Sequence, residues 1–241
     1  MIGGFIITGN VPKRIIIRGI GPSLASSGLT DLIADPTLQL FGAGGQIAFN
    51  DDWRDLQESE IEATNIPPTD DREPAIIATL SPAAYTTVVS GKEGATGVGL
   101  LEVYDLNASA DAKLANISTR GSVQTQDNVM IGGFILGGAN MQPAQVVVRA
   151  LGPSLASAGI ADPLGNPTLQ LFDSNGLSVG FNNDWQDDAA QATQLVALGI
   201  APTAAAESAI VATLPPGSYT AVVAGQSGTT GVGLIEVYDV Q

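Results

Sequence analysis

Most of this sequence occurs in two similar copies, and one segment occurs only once. Three stretches show the duplication: Met1–Phe5 returns as Met130–Phe134, Arg18–Ala25 as Arg149–Ala156, and Gly97–Asp105 as Gly231–Asp239. The residues from Lys113 to Asn128 have no counterpart. Self-similarity over such a distance is the signature of tandem modules. The sequence therefore predicts a first module at 1–106, a linker at 107–113 and a second module at 114–241.

Each copy is made of short apolar runs with the composition of β-strands. The runs are rich in β-branched and aromatic residues and end at Gly, Pro, Asn or Asp, as Thr37–Phe41 illustrates. Only Trp53–Thr64 and its counterpart Trp185–Leu198 have helix-forming composition without strand alternation. The copies differ in length at Asn10–Lys13 against Ala139–Pro143, which we predict to be a hairpin loop. The pattern predicts an all-β fold of two antiparallel sandwiches, jelly-roll or Greek-key-like, each with one short helix.

The single-copy segment has the alternation of a strand. Between Ala115 and Gln124, small or apolar residues alternate with polar ones, as in a strand with one buried face. Proximity in sequence assigns this strand to the second module, and the first module has no copy of it. We therefore expect the first sandwich to present an unpaired edge, at Ile2–Ile7, which a strand from elsewhere would fill. Because such a contact does not close on itself, it predicts head-to-tail self-assembly into filaments.

The composition excludes several classes of function. The net charge is −15, and the repeated part of the second copy, Met130–Gln241, holds only Arg149 among the 9 basic residues, so neither nucleic acid nor an anionic membrane is an expected partner. The sequence has 0 His and 0 Cys, so Ser-His and Cys-His dyads, thiolate metal sites and disulfides are impossible. No apolar run is long enough to cross a bilayer. These absences predict a protein that is not an enzyme and does not insert into membranes.

Two acidic clusters at equivalent positions are the candidates for a metal site: Asp51, Asp52 and Asp55 in the first copy, and Asp184 and Asp187 in the second. Carboxylate and carbonyl oxygens are the ligands that Ca²⁺ prefers, so calcium is the one cofactor that the sequence suggests. The second copy, with Asn183 in place of Asp51, should bind it more weakly. The alternative is structural, because Asp and Asn also form turns and cap helices without a metal.

Arg18 and Arg149 end the most apolar strand of each copy. One interpretation is an anion-binding site. The favoured interpretation is a partly buried structural ion pair. Its expected partners are recurrent carboxylates, either Glu73 and Glu207 or Glu102 and Glu236.

The aromatic residues recur in pairs. All 4 Tyr, 6 Phe and 2 Trp occupy equivalent positions in the two copies, which predicts that they pack in equivalent cores. Tyr85 and Tyr219 follow turns that resemble the tyrosine corner of Greek-key sandwiches. Trp53 and Trp185 would stack on sugar rings if their indoles lay on an open face. A polysaccharide-binding module appended to an exported enzyme is therefore the alternative function.

Three motifs in a fixed order resemble a known family. Asp35–Phe41, Gly44–Trp53 and Leu80–Gly91, with their second-copy equivalents, are similar to the bacterial pre-peptidase C-terminal domain, a β-sandwich of exported bacterial proteins. The leading part of each copy, with Arg18–Ala25, resembles instead a tandem repeat of large exported bacterial proteins. The resemblance implies a non-catalytic structural or adhesive module, extracellular or at the cell surface, and it implies no ligand.

Overall fold

A computed structural model describes residues 1–137 and 142–240 of the chain. The chain divides into two compact units, Met1–Ala115 and Asn116–Gln241, called here the first unit and the second unit. The boundary falls inside the single-copy segment. The fold is all-β and antiparallel with a few short helices, as the sequence predicts.

The first unit is a sandwich of two antiparallel sheets. Its strands are β1 (Ile2–Gly9), β2 (Lys13–Ile20), β3 (Pro36–Gly42), β4 (Gly45–Asn50), β5 (Ala75–Leu80), β6 (Ala83–Gly91) and β7 (Leu100–Asp105). One sheet has the order β4-β3-β6-β1 and the other the order β5-β2-β7. Because β1 and β2 lie in different sheets, the loop between them is an arch across the sandwich. The hairpin predicted at Asn10–Lys13 is therefore wrong.

The second unit repeats this arrangement with one strand more. Its strands are β8 (Ala112–Val123, which begins in the first unit), β9 (Met130–Leu136), β10 (Ala144–Leu151), β11 (Pro167–Asp173), β12 (Ser178–Asn182), β13 (Ser208–Leu214), β14 (Gly217–Gly225) and β15 (Gly231–Asp239). The sheets have the orders β12-β11-β14-β9 and β13-β10-β15-β8. The loop predicted at Ala139–Pro143 lies largely outside the described residues.

β2 and its counterpart β10 are buried on both faces, which explains their continuous apolar sequences. On β2, Ile15 and Ile17 belong to the core between the sheets, whereas Ile16 belongs to a second cluster beneath helix α1 (Glu58–Glu62). Helix α2 (Ala189–Ala197) covers the equivalent cluster in the second unit. Both helices are shorter than the segments that the sequence predicts. The N-cap of α2 is Asp188, whose carboxylate accepts hydrogen bonds from two backbone N–H groups.

The strand predicted at Ala115–Gln124 is confirmed as β8. Its residues from Asn116 onward pair antiparallel with β15, in a register that runs from Tyr238 opposite Asn116 to Gly231 opposite Val123. The side chain of Val123 is 0% exposed and belongs to the core of the second unit. The single-copy strand is thus built into the second sandwich, as its position in the sequence indicates.

The first unit has an open edge where the second unit has β8. β7 is the counterpart of β15, and among the described strands it pairs only with β2. The expectation that the edge lies at Ile2–Ile7 is corrected, because β1 lies between β6 and the start of β8. At that start the Asn10 N–H donates to the Asp111 carbonyl oxygen at 2.9 Å.

Most recurrent aromatic residues pack as predicted, with one exception. The hydroxyls of Tyr85 and Tyr219 donate to the carbonyl oxygens of Ser81 and Pro215, each at 2.8 Å, which confirms the two tyrosine corners. Phe49 and Phe181, however, are 46% and 63% exposed. They lie on β4 and β12, which end their sheets, so the prediction of core packing is wrong for this pair.

Candidate functional sites

The acidic cluster of the first unit lies where three turns meet. Asp35 precedes β3, Asp51 and Asp52 follow β4, and Lys92 follows β6. One carboxylate oxygen from each aspartate lies within 4.8 Å of the other two. The Lys92 ammonium lies 2.7 Å from Asp51 Oδ2 and 3.6 Å from Asp35 Oδ2. The protein therefore supplies its own cation to a site whose oxygens would suit a metal ion.

This cluster carries electrostatic strain that the lysine does not fully relieve. The Oδ1 atoms of Asp35, Asp51 and Asp52 are shielded from solvent and accept no hydrogen bond. Burial raises the pKa of Asp52, and the charges of Asp51 and Asp55 raise it further. Asp55 is not one of the three clustered aspartates, and its backbone N–H donates to Asp52 O at 3.0 Å. Of the predicted ligands, the structure brings Asp51 and Asp52 together and adds Asp35.

The second unit replaces the charges of this cluster with amides. Asn166, Asn183 and Gln226 stand where the first unit has Asp35, Asp51 and Lys92, and Asp184 remains the single carboxylate. The backbone is retained, because Gln226 N–H donates to Asn166 O at 2.9 Å just as Lys92 N–H donates to Asp35 O at 2.8 Å. The Asn166 side chain also donates to Gln226 Oε1 at 2.6 Å.

The two predicted second-unit ligands lie on an open hollow of about 360 Å³. Asp184 and Asp187 line it together with Asn166 and Gln186. The second unit offers a cation less negative charge than the first-unit cluster does, because amides replace two of the three clustered carboxylates.

Sequence reasoning missed Asp35 and Lys92. Both are distant from Asp51 in the chain, and only the strand order β4-β3-β6 brings the three turns together. A signal was nevertheless present in the repeat. Two acidic positions and one basic position of the first copy are all neutral in the second. Joint loss of opposite charges at three separate positions indicates that the side chains are in contact.

Arg18 and Arg149 form the structural ion pairs that the sequence predicts, but with the other pair of carboxylates. Arg18 Nε donates to Glu102 Oε2 at 2.9 Å, and Arg149 Nε donates to Glu236 Oε2 at 2.9 Å. These partners lie directly opposite the arginines on the neighbouring strand. A tyrosine hydroxyl completes each pair by donating to the same glutamate. Burial raises the pKa of Tyr238 to about 12, so the hydroxyl keeps its proton.

Glu73 and Glu207, the other predicted partners, are not in these ion pairs. Both side chains are 0% exposed. Glu73 Oε1 accepts hydrogen bonds from Gly21 N–H at 3.0 Å, Ser23 N–H at 2.9 Å and Ser23 Oγ at 2.6 Å. A Cβ at Gly21 would lie 2.3 Å from the Ile33 carbonyl oxygen, which explains why glycine begins this turn. The Gly-Pro-Ser-Leu-Ala motif is therefore a turn clamped by a buried carboxylate.

The two tryptophans do not form an exposed platform. Trp53 is 2% exposed and packs with Ile16 and Ile61, with the Arg54 guanidinium 4.1 Å from the ring centroid. Trp185 is half-buried, and its indole N–H donates to Ala204 O at 3.1 Å. Sugar stacking needs an open indole face, so the expectation at Trp53 is corrected. Both tryptophans pack beneath the helix of their own unit.

Comparison with known proteins does not place the chain in a family. No family model and no curated protein matches it. A solved structure of a protein from Eubacterium rectale, provisionally described as secreted, is 10% identical over 97% of this chain and 67% of its own, with a TM-score of 0.23. A structure of the Gt strain of infectious bursal disease virus is 10% identical over 98% of this chain and 58% of its own, with a TM-score of 0.18. At these TM-scores neither likeness bears on fold or function.

None of the helices in residues 1–137 and 142–240 is long and apolar enough to span a membrane.

Proposed function

We propose that the chain is a non-catalytic structural and adhesive repeat module of a secreted or cell-surface bacterial protein, and that such modules join end to end through β-strand complementation. The composition supports a non-catalytic role, since the chain has 0 His and 0 Cys and therefore lacks the usual bases and nucleophiles. The buried charged groups support it as well. Arg18, Arg149, Glu73 and Glu207 all have structural hydrogen-bond partners.

The observation that carries the proposal is that β8 is a strand of both units. Its first residues belong to the first unit, where Ala112 and Leu114 pack against the core. Its last residues, from Asn116 to Val123, complete a sheet of the second unit. A linker that is itself a structural strand of both modules is how a repeat array hides the edges of its sheets.

Among the described residues, two sheet edges are open where β8 pairs with the equivalent strand of the other unit. β7 of the first unit lacks a strand like the second half of β8. β9 ends its sheet in the second unit, and its Ile131 and Ile135 are 59% and 69% exposed. The two edges are of different kinds, so contacts between copies are head-to-tail, and such contacts continue as filaments when the rotation does not close.

Sedimentation velocity across a wide concentration range tests the proposal. We expect the mass to rise with concentration beyond that of a dimer, because each added copy presents a new open edge. A chain that stays monomeric up to several hundred micromolar contradicts end-to-end assembly.

A polysaccharide-binding module is the second candidate function, and two exposed phenylalanines support it in place of the tryptophans. Phe49 and Phe181 are exposed in both units, and each lies opposite a glutamine, Gln39 or Gln170, in the strand register. An exposed ring beside an amide could contact a sugar by stacking and hydrogen bonding. Affinity electrophoresis in polysaccharide gels tests this, with the double variant Phe49→Ala and Phe181→Ala as control. Retardation of the wild type that the double variant loses would support the candidate, and equal mobility would remove it.

A further inference from the structure

The hydrogen-bond ladder fixes which backbone groups of β7 face outward. Leu106 N–H donates to Arg14 O at 2.9 Å, one step beyond the pair of Ile15 and Asp105 in the register. Hydrogen-bonded and non-hydrogen-bonded pairs alternate along an antiparallel ladder. Leu101 and Val103 are therefore non-hydrogen-bonded with respect to β2, and their N–H and C=O groups point away from it.

The second unit shows what such groups bind. Val240 N–H donates to Gln145 O at 3.1 Å, which gives β15 the same alternation as β7. Its outward residues Ile235 and Val237 lie opposite Thr119 and Ile117 of β8. The counterparts of Leu101 and Val103 are thus the residues that the single-copy strand pairs with.

The two units also differ in which side chain packs over one glycine beside this edge. In the second unit a Cβ at Gly233 would lie 3.0 Å from Val123 Cγ2, so the valine packs directly over this glycine. In the first unit the nearest atoms to a Cβ at Gly99 belong only to Ile33 and Ile20. Ile33 Cδ1 would lie at the same 3.0 Å from a Cβ at Gly99, so in the first unit Ile33 packs over the glycine whose counterpart Val123 covers in the second unit.

Exposure follows the same contrast. Ile235 and Val237 are 3% and 8% exposed, whereas Leu101 and Val103 are only half-buried. Met130 is 7% exposed, whereas its counterpart Met1 is 37% exposed. Apolar residues that β8 covers in the second unit are consequently accessible in the first.

We infer that the edge of β7 is an acceptor site for one extended β-strand, and that its occupant has the side-chain pattern of residues 116–123 and comes from another repeat of this kind. The inference rests on the proposed function, and it names the partner of one open edge. The charge of the single-copy segment supports an occupant of this kind. The segment 113–123 carries Lys113 and Arg120 and no Asp or Glu, whereas the chain as a whole has a net charge of −15. Val123 is 0% exposed in the second unit, so we expect the occupant to carry an apolar residue at this position.

A labelled peptide of residues 113–124 tests the inference by fluorescence anisotropy, with the full chain held at concentrations where sedimentation shows a monomer. We expect saturable binding. The peptide with Val123→Asp should bind at least about tenfold more weakly, because burial of one valine side chain is worth that much. Amide exchange of the complex should show new protection at Leu101 and Val103 and no change at Ile235 and Val237. Absence of binding, or equal binding of the two peptides, overturns the inference.

A substitution in the full-length chain tests the acceptor strand itself. Val103→Pro removes an outward N–H and should abolish peptide binding while β2 and β7 stay paired. If this variant does not fold, the comparison of the two peptides on the wild-type chain still decides. The outcome is separable from that of the proposed function. If the chain binds the peptide but never self-associates, the acceptor site is supported and the filament is contradicted. If the chain self-associates but does not bind the peptide, the acceptor site is contradicted and self-assembly is still supported.

Discussion

Single residues show how each module holds an irregular segment in place. The turn at Gly21–Ser23 has no regular hydrogen-bond ladder, and the buried Glu73 carboxylate binds its N–H groups instead. Glu207 does the same for Gly152 and Ser154 in the second unit. A buried acceptor with several donors stabilises a turn strongly, because each donor left unpaired costs roughly 1–3 kcal/mol.

We expect Glu73→Ala to destabilise the first unit far more than Ser23→Ala does. The first change leaves two backbone N–H groups and one hydroxyl without their acceptor, whereas the second removes one hydrogen bond worth roughly 1 kcal/mol. Urea unfolding of the full chain measures both. Equal losses in the two variants would show that the carboxylate does not clamp the turn.

The aspartate cluster predicts a response to pH. The folded pKa of Asp52 is raised by burial and by neighbouring carboxylates. A raised carboxyl pKa favours the native state below the unfolded pKa, and this contribution is lost as the pH rises through the folded pKa. At pH 7, Asp52→Asn should therefore raise the Tm by a few degrees. The gain should vanish near pH 3, where the carboxyl is protonated in both states. A gain that is independent of pH, or a loss, contradicts this account of the cluster.

Calcium is the second prediction for this cluster. If Ca²⁺ uses the unpartnered oxygens of Asp35, Asp51 and Asp52, millimolar Ca²⁺ should raise the Tm of the wild-type chain, since a ligand that binds only the native state stabilises it. Asp52→Asn should remove the rise. Asp184→Asn is the matched control and should keep most of it, because in the second unit amides replace two of the three clustered carboxylates. A melting curve that neither Ca²⁺ nor chelator alters would leave Lys92 as the cation of this site.

At the scale of elements, the difference between the units comes down to one strand edge. β7 and β15 have nearly the same sequence and the same place in their sheets, but only β15 has a neighbour on both sides. Proline is tolerated in a strand where its missing N–H would have faced solvent. The same substitution should therefore have opposite consequences in the two units.

We expect Val237→Pro to lower the free energy of unfolding by roughly 1–3 kcal/mol, because it removes an N–H that faces β8 and leaves its acceptor unpaired. Val103→Pro should cost much less. Chemical denaturation of both variants makes the comparison. Equal destabilisation would mean that β7 is hydrogen bonded on both sides in solution.

Local pattern was sufficient to predict strands, tyrosine corners and the β8 strand, because each depends on residues close together in sequence. It was not sufficient for the open edge. The sequence shows that the single-copy segment has no counterpart in residues 1–106, but the strand order decides that β7, and not β1, lacks a second neighbour among the described strands. The same limit explains the ion pairs. Glu102 and Glu73 are equally recurrent, and only the register of β2 with β7 puts Glu102 opposite Arg18.

At the scale of the whole molecule, duplication has kept the scaffold and altered its charges. The tyrosine corners, the arginine pairs and the clamped turns occur in both units with nearly the same distances. The basic residues and the carboxylate cluster are concentrated in the first copy. The retained parts are those that hold the sandwich together.

The most direct test of this account is residue-resolved amide exchange on the free chain at a concentration where it is monomeric. Exchange reports whether a backbone N–H is hydrogen bonded. The N–H groups of Ile235 and Val237 should exchange slowly, because β8 covers them, and those of Leu101 and Val103 should exchange fast, because nothing among the described residues pairs with that edge. Equal protection of the two pairs in the monomer would contradict the central claim that the edge of β7 is open.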